Sequence, residues 1–175
     1  MLSSYLGPVE NPGVKAIRSP DLAQELAAQL FAEGADVIFY DAGESGRGVV
    51  DAAREYEVGH PWVIGSNVDA YVTAASGLDR EYILTSTVKR FDRAVEQAVA
   101  SFLDGTLQSG EQFLGFAEQA VGWSREGGHL DDVAGELDNL AGDIALGHLT
   151  VQDFALRSPD WQMDPDVTVR VAVGE

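Results

Sequence analysis

The chain has 175 residues with a hydrophobic fraction of 45%, enough for one domain of ordinary size with a real core and too apolar for a disordered chain. Asp and Glu number 29 against 11 Lys and Arg, a formal net charge of -18, so the basic patches that bind nucleic acid or an anionic membrane surface are excluded. With no cysteine, disulfides, thiolate zinc sites and a cysteine nucleophile are excluded too.

Residues 2–6 form a short apolar run, and Pro8, Pro12 and Gly13 mark a loop. The start lacks the basic region and long apolar stretch of a signal peptide. The chain as written is therefore expected in the cytoplasm, or as part of a longer exported, membrane-anchored precursor. Ser19-Pro20 predicts a helix start, with a capping residue before proline at the first helical position. Leu22, Leu26 and Leu30, with Ala23, Ala27 and Phe31 beside them, share one apolar face, and Gly34 ends the helix. Asp36 to Tyr40 reads as a buried strand of a parallel sheet. Asp41 to Gly48 is a glycine-rich turn that leads into a helix from Val49 to Tyr56. Pro61 to Gly65 is a second strand, 66–80 a loop, and Tyr82 to Thr85 a third strand. Strands alternating with helices predict right-handed crossovers and an α/β fold, a parallel sheet flanked by helices.

A further helix is expected from Lys89 to Asp104, with Phe91, Val95, Val99 and Phe102 or Leu103 on its buried side and Gly105 at its end. Glu111 to Phe116 and Ala120 to Trp123 read as two arms of a hairpin, and Leu130 to Leu146 as a helix closed by Gly147. Val167 to Val173 alternates strongly and predicts a strand in the tail. The acids are scattered, and lysine occurs only as Lys15 and Lys89. Such a surface fits a protein of salt-loving microbes, where ionic strength screens self-repulsion.

Three segments follow strands and so lie where open parallel sheets bind ligands: 41–48, 66–69 and 86–90. In the first, the backbone of Gly43, Glu44, Ser45 and Gly46 opens a helix and could face an anion or a ligand oxygen. The P-loop Gly-Lys-Ser/Thr is absent, and Arg47 breaks the G-x-S-x-G elbow of α/β-hydrolases. A hydrolase using Ser45 is thus a poor third reading, and a tight structural turn is the bland one. Asn67 and Asp69 either shape a loop or meet a ligand. Lys89 either pairs locally with Asp92 or reaches a cleft, where it would donate to hydroxyls or pair with Asp69. Tyr40, Phe39 and Tyr71 are aromatic at strand ends, where core packing is the ordinary role. His60, His129 and His148 show no metal-ligand spacing, so no metal or cofactor is expected.

Four segments in order resemble the basic membrane protein (BMP) family of substrate-binding proteins. Gly34-Ala-Asp-Val-Ile-Phe39 with Ala42-Gly-Glu-Ser-Gly-Arg-Gly48 is similar to "GADVIF…AGGTGLG", and Val63-Ile-Gly-Ser-Asn-Val-Asp69 to "VIGVDSDQ". Leu84-Thr-Ser-Thr-Val-Lys-Arg90 is similar to "LTSVVKN", and Ile144-Ala-Leu-Gly-His-Leu-Thr-Val151 to "IISGEIKV". The resemblance implies the carboxyl-terminal half of a type I periplasmic-binding-protein fold. Residues 2–85 would form mainly the second lobe, 86–123 would cross back to part of the first, 124–151 would hold the terminal helix, and 152–175 would be a divergent tail. It implies a small polar ligand, a purine nucleoside, bound by Gly43, Glu44, Ser45, Gly46, Asn67, Asp69 and Lys89 without bond chemistry. Asn67 stands where the family pattern carries an aspartate, and Glu44 where it carries a small residue. Implied partners are an ABC permease and the missing lobe. Exposed strand edges lead us to expect a homo-oligomer as well. The rival reading is an interaction or regulatory protein without ligand binding.

Overall fold

The computed structural model describes residues 17–150. The expected apolar run at 2–6, the loop at 7–13 and the tail strand at Val167–Val173 lie outside the described residues. In chain order the elements are α1 (Pro20–Ala32), β1 (Val37–Phe39), a 3-10 turn (Gly43–Ser45), α2 (Gly46–Glu55), β2 (Trp62–Gly65), two single-turn helices α3 (Ala70–Thr73) and α4 (Gly77–Arg80), β3 (Ile83–Lys89), α5 (Phe91–Leu103), β4 (Val121–Trp123), a second 3-10 turn (Asp131–Val133) and α6 (Ala134–Ala145). The sheet order is β1-β2-β3-β4, with β1, β2 and β3 parallel and β4 antiparallel to β3. This is the expected α/β architecture, a mostly parallel sheet flanked by helices.

Helix α1 starts where proline dictates and stops where glycine allows. Pro20 occupies the first helical turn, and Gly34 sits at φ 99°, with its N–H on Phe31 O and the Ala35 N–H on Leu30 O. That pair of bonds is a Schellman stop, which satisfies carbonyls the helix cannot reach. The buried face of α1, however, is Ala23, Ala27 and Phe31, while Leu22 is exposed. The reason is a backbone-to-backbone approach. A Cβ placed on Gly48 of α2 would stand 1.9 Å from Pro20 O and 2.8 Å from Gln24 N. At that separation only alanine-sized side chains fit between the two helices. Phe31 fills the wider end, its ring tilted against Tyr56, whose hydroxyl donates to Phe31 O at 2.9 Å.

The same helices cover one face of the sheet. Ile38, Val63 and Ile83, one from each parallel strand, join Val49, Val50, Ala52 and Ala53 in a single cluster. The other face is open at its edge, where Val37 is half exposed and Phe39 is 57% exposed. β1 is therefore a half-buried edge strand rather than one covered on both faces. Between β2 and β3 the register shifts after Val63, so that Ile64 pairs Thr85 and Leu84 is the extra residue. β3 is longer than expected. Its first residues belong to the parallel sheet, and Thr87, Val88 and Lys89 pair with Trp123, Gly122 and Val121.

Four expectations change. The second helix begins at Gly46, three residues early, because the 3-10 turn runs straight into it. Residues 66–80 are not a plain loop: Asp69 caps α3, and Ser76 with Asp79 forms a capping box on α4. Lys89 ends a strand instead of opening a helix, since its N–H donates to Asn67 O at 2.9 Å. No hairpin forms from 111–116, because Val121–Trp123 takes β3 as its partner. The helices α5 and α6 form as expected, yet neither has a buried residue. Phe91, Val95, Val99, Phe102 and Leu103 of α5 are all exposed. No described helix is long and apolar enough to cross a membrane.

Two of the helix glycines, Gly48 and Gly142, give opposite expectations. Gly48→Ala forces backbone apart at the α1–α2 crossing and should destabilise by about 3 kcal/mol or more. Gly142→Ala in α6 meets nothing within 4 Å. It should leave stability unchanged or raise it by about 0.5–1 kcal/mol. Thermal melts of the two variants check both signs.

Candidate functional site

The carboxyl ends of β1 and β2 open onto a cleft of about 760 Å³. Its walls include Tyr40, Gly43, Glu44, Gly46, Ser66 and Asn67, with Thr73 and Ala74 on the far side. The turn at 43–46 is placed by two devices. The Ser45 N–H donates to Ile17 O, and Ser45 Oγ accepts from the Ser19 N–H at 2.8 Å, so the turn is bolted to the start of α1. Gly46 lies beneath the Tyr40 ring, where a Cβ would come within 2.2 Å of Cε2. Tyr40 is thereby flattened against the turn, and burial pushes its phenol up, so it stays a neutral hydroxyl at physiological pH.

The polar corner of the cleft is built by Ser66 and Asn67, both anchored on Asp41, which lies outside the cleft lining. Asn67 adopts φ 66°, a left-handed conformation that asparagine tolerates better than most residues. From there its Nδ2 donates to Asp41 Oδ1 at 2.9 Å, and Ser66 Oγ donates to the same oxygen at 2.9 Å. On the opposite wall, charges are already paired. Arg18 meets Glu44 at 3.4 Å and Arg47 meets Asp51 at 3.7 Å. Arg54 of α2 bridges to Asp79 of α4, and that bond is the main reason its guanidinium pKa is raised.

The expected site residues separate into four sets. Gly43, Glu44, Gly46 and Asn67 line the cleft together. Ser45 is fully buried and holds the turn in place, so neither a ligand nor a hydrolytic substrate meets it from the cleft. Asp69 faces elsewhere. One oxygen caps α3 through the Tyr71 and Val72 N–H groups, and the other accepts from Ser124 Oγ at 2.5 Å. Asp69 thus ties β4 to the parallel sheet and borders a second, shallower depression of about 410 Å³ with Arg90, Trp123 and Arg125. Lys89 lines neither concavity and forms no ion pair among the described residues. Its expected partners are taken, Asp69 by Ser124 and Asp92 by Arg90 at 2.6 Å. Through its N–H on Asn67 O, Lys89 still fixes the backbone of the polar corner. Of the three aromatics, Tyr40 lines the cleft, Phe39 is on the open face of the sheet, and Tyr71 carries Arg80 over its ring at 5.3 Å. Ser66 also lines the cleft, which no local pattern shows because orientation at a strand end depends on register.

Comparison with known proteins bears on the family and the fold. The family profile described as ABC transporter substrate-binding protein PnrA-like matches residues 14–139. The chain belongs to this family. A CD4+ T-cell-stimulating antigen of Listeria monocytogenes is 35% identical over 122 residues, 65% of this chain and 33% of that protein. Basic membrane protein D of Borreliella burgdorferi is 32% identical over 103 residues, 58% of this chain and 28% of the relative. The chain thus spans about a third or less of the length of these curated relatives. Among solved structures, an ABC transporter system solute-binding protein from Aeropyrum pernix K1 aligns with a TM-score of 0.57 at 22% identity, covering 78% of this chain and 46% of that one. One from Conexibacter woesei aligns with a TM-score of 0.59 at 23% identity, covering 78% and 43%. These likenesses carry the fold. The family is one of substrate-binding proteins, which agrees with reading the chain as a binding module and not an enzyme.

At the edge of the second depression, the Arg90 guanidinium holds the Asp92 carboxyl down at about 2. Any stability from that bond is present above the ordinary carboxylate range and is lost as pH falls toward about 2. Arg90→Gln should return the Asp92 carboxyl to the ordinary range, measured by its carbon chemical shift during an acid titration.

Proposed function

We propose that this chain forms one wall of a solute-binding site for a small polar ligand, a purine nucleoside by family resemblance. The observation that carries the reading is the coincidence of two independent features. The cleft lies beyond the carboxyl ends of β1 and β2, where open α/β sheets bind ligands. The glycine turn and Asn67, singled out by the family motifs, line that same cleft. Tyr40 offers a flat aromatic surface, and the Ser66–Asn67 corner offers donors and acceptors for sugar hydroxyls. Closure of a second lobe over this wall would sequester the ligand, and an ABC permease or a sensor would receive it. Lys89 would then donate to the ligand from the rim, while Asp69 would act through the strand linkage and not by contact. Residues up to about 85 would belong to the lobe that carries this wall, with β3 and β4 crossing to the other. An uncharacterized lipoprotein of Pyrococcus abyssi is 34% identical over 103 residues, which supports a membrane-anchored surface location for the whole protein.

The exposed apolar face of α5 supports a second role, association. Phe91, Val95, Val99 and Phe102 recur on one side of a helix with no buried residue. A helix of this length is marginal in water without a packed face. Either the remainder of a two-lobed protein or a second copy of the chain would cover it.

A thermal-shift screen in high salt with inosine, guanosine, adenosine, free bases and ribose tests the first role. A nucleoside at about 100 times its Kd should stabilise by about 2.7 kcal/mol. Asn67→Ala should remove most of the shift, whereas a cooperative melt with no shift from any compound overturns the nucleoside reading. Analytical ultracentrifugation tests self-association. The isolated chain should sediment as an oligomer, and Phe91→Ser with Phe102→Ser should return it to a monomer. A monomeric parent chain would exclude the second-copy version.

A further inference from the structure

We infer that the cleft continues beyond its strand-end mouth as a side arm between α2 and the α3–α4 pair, and that this arm holds an uncharged, mainly apolar substituent of the ligand, anchored by a hydrogen bond from the Tyr40 hydroxyl to one acceptor oxygen. The inference rests on the binding role proposed above. It concerns a part of the cleft whose floor lies outside the motif segments that carry the family resemblance.

Three observations carry it. The first is shape. The cleft lining does not stop at Ser66 and Asn67 but runs on past Val50 of α2, Ala70 and Ala74, down to Ile83. Val50, Ala70 and Ile83 also belong to the central core cluster, so a group seated in the arm meets apolar surface. The helices on that side are single turns of four residues, and the small Ala74 and Ala75 between them leave the space open. At about 760 Å³ the whole cleft is in the range of sites for drug-sized ligands, and part of that volume lies in the arm.

The second observation is the Tyr40 hydroxyl. Two glycines make room for this side chain. Its ring lies over Gly46, and a Cβ on Gly65 would stand 3.4 Å from its oxygen and 2.7 Å from Ala70 Cβ. The hydroxyl therefore sits beside Ala70, at the floor of the arm. Among the described residues it makes no hydrogen bond. Nor is it sealed in: the one buried side-chain polar atom without a partner among these residues is Arg80 Nε. A phenylalanine would fill the same space in the fold. A neutral phenol that is open to the cleft and has no internal partner suits a carbonyl or ether oxygen. The third observation is charge. The carboxylates at the far end of the arm, Asp51 and Asp79, are paired with Arg47 and Arg54. A charged substituent would have to break one of these pairs, whereas an uncharged one leaves them intact.

The test compares plain nucleosides with acylated ones by calorimetric titration. 5′-O-butyrylinosine carries the added group on the sugar and N6-benzoyladenosine carries it on the base, so either orientation of the nucleoside in the mouth is probed. At least one of them should bind about tenfold or more tighter than inosine or adenosine itself. Tyr40→Phe should cut that advantage about fivefold, the loss of one neutral hydrogen bond. Ala74→Leu, which fills the arm, should abolish it. Tyr56→Phe removes a hydroxyl that donates to Phe31 O instead, and should leave the advantage as in the parent. Thermal melts give a readout without ligand: Tyr40→Phe should melt with the parent, and Tyr56→Phe below it. If Tyr40→Phe melts well below the parent, the hydroxyl serves the fold and the inference fails. It also fails, with the nucleoside reading intact, if plain nucleosides bind and neither acylated one binds tighter, or if the advantage survives both Tyr40→Phe and Ala74→Leu. A parent protein that binds none of the four compounds overturns that reading and this inference together.

Discussion

The crossing of α1 and α2 is the constraint on which the cleft depends. Gly48 lies against the backbone of Pro20, with room for no side chain between them. That contact fixes the start of α1 beside the start of α2, and so brings Ser19 to Ser45. Once Ser45 is bound to the α1 start, the glycine turn can take only the path it does. Gly46 then meets the Tyr40 ring, and the ring closes one side of the cleft. Local chemistry thus propagates from one missing Cβ to the shape of the cleft.

A second linkage runs through β3. Ser86 Oγ accepts the Ala70 N–H and its carbonyl accepts the Ser124 N–H, while Thr85 Oγ1 donates to Ser124 O. Small hydroxyl residues here replace hydrophobic ones so that a strand can leave one set of partners and join another without unpaired polar groups. Asp69 completes the junction by accepting from Ser124 Oγ. The residues around the junction therefore connect the polar corner at Asn67 to the strand pair that extends away from the sheet. Any movement of α5 and β4 relative to the cleft would pass through this joint.

The acidic character of the chain takes on a local meaning at the cleft. Most wall carboxylates have arginine partners, and exposed pairs of this kind contribute little stability. Their consequence is that Arg18 and Arg47 face carboxylates of the wall itself.

The amino-acid sequence by itself determined the class of fold, the α1 boundaries set by Pro20 and Gly34, the parallel arrangement of the first three strands, and the family through its ordered motifs. These follow from local rules: proline geometry, glycine at positive φ, and apolar spacing along the chain. Two of the three strand-end segments it singled out, 41–48 and 66–69, contribute to the cleft lining, and 86–90 does not. Which side chains face that cleft was decided only by tertiary structure. Ser45 and Asp69 have the right chemistry and the right segment, yet Ser45 is buried against Ser19 and Asp69 is spent on a helix cap and Ser124. Lys89 moved from a helix start to a strand end because its N–H found Asn67 O. Ser66 and Asn67 both reach Asp41 because β1 and β2 align in a register that sets the three residues side by side. Register and close backbone approach are properties of pairs of segments distant in the chain. No local pattern encodes them, and they are what turned a candidate list into a wall with a defined chemistry.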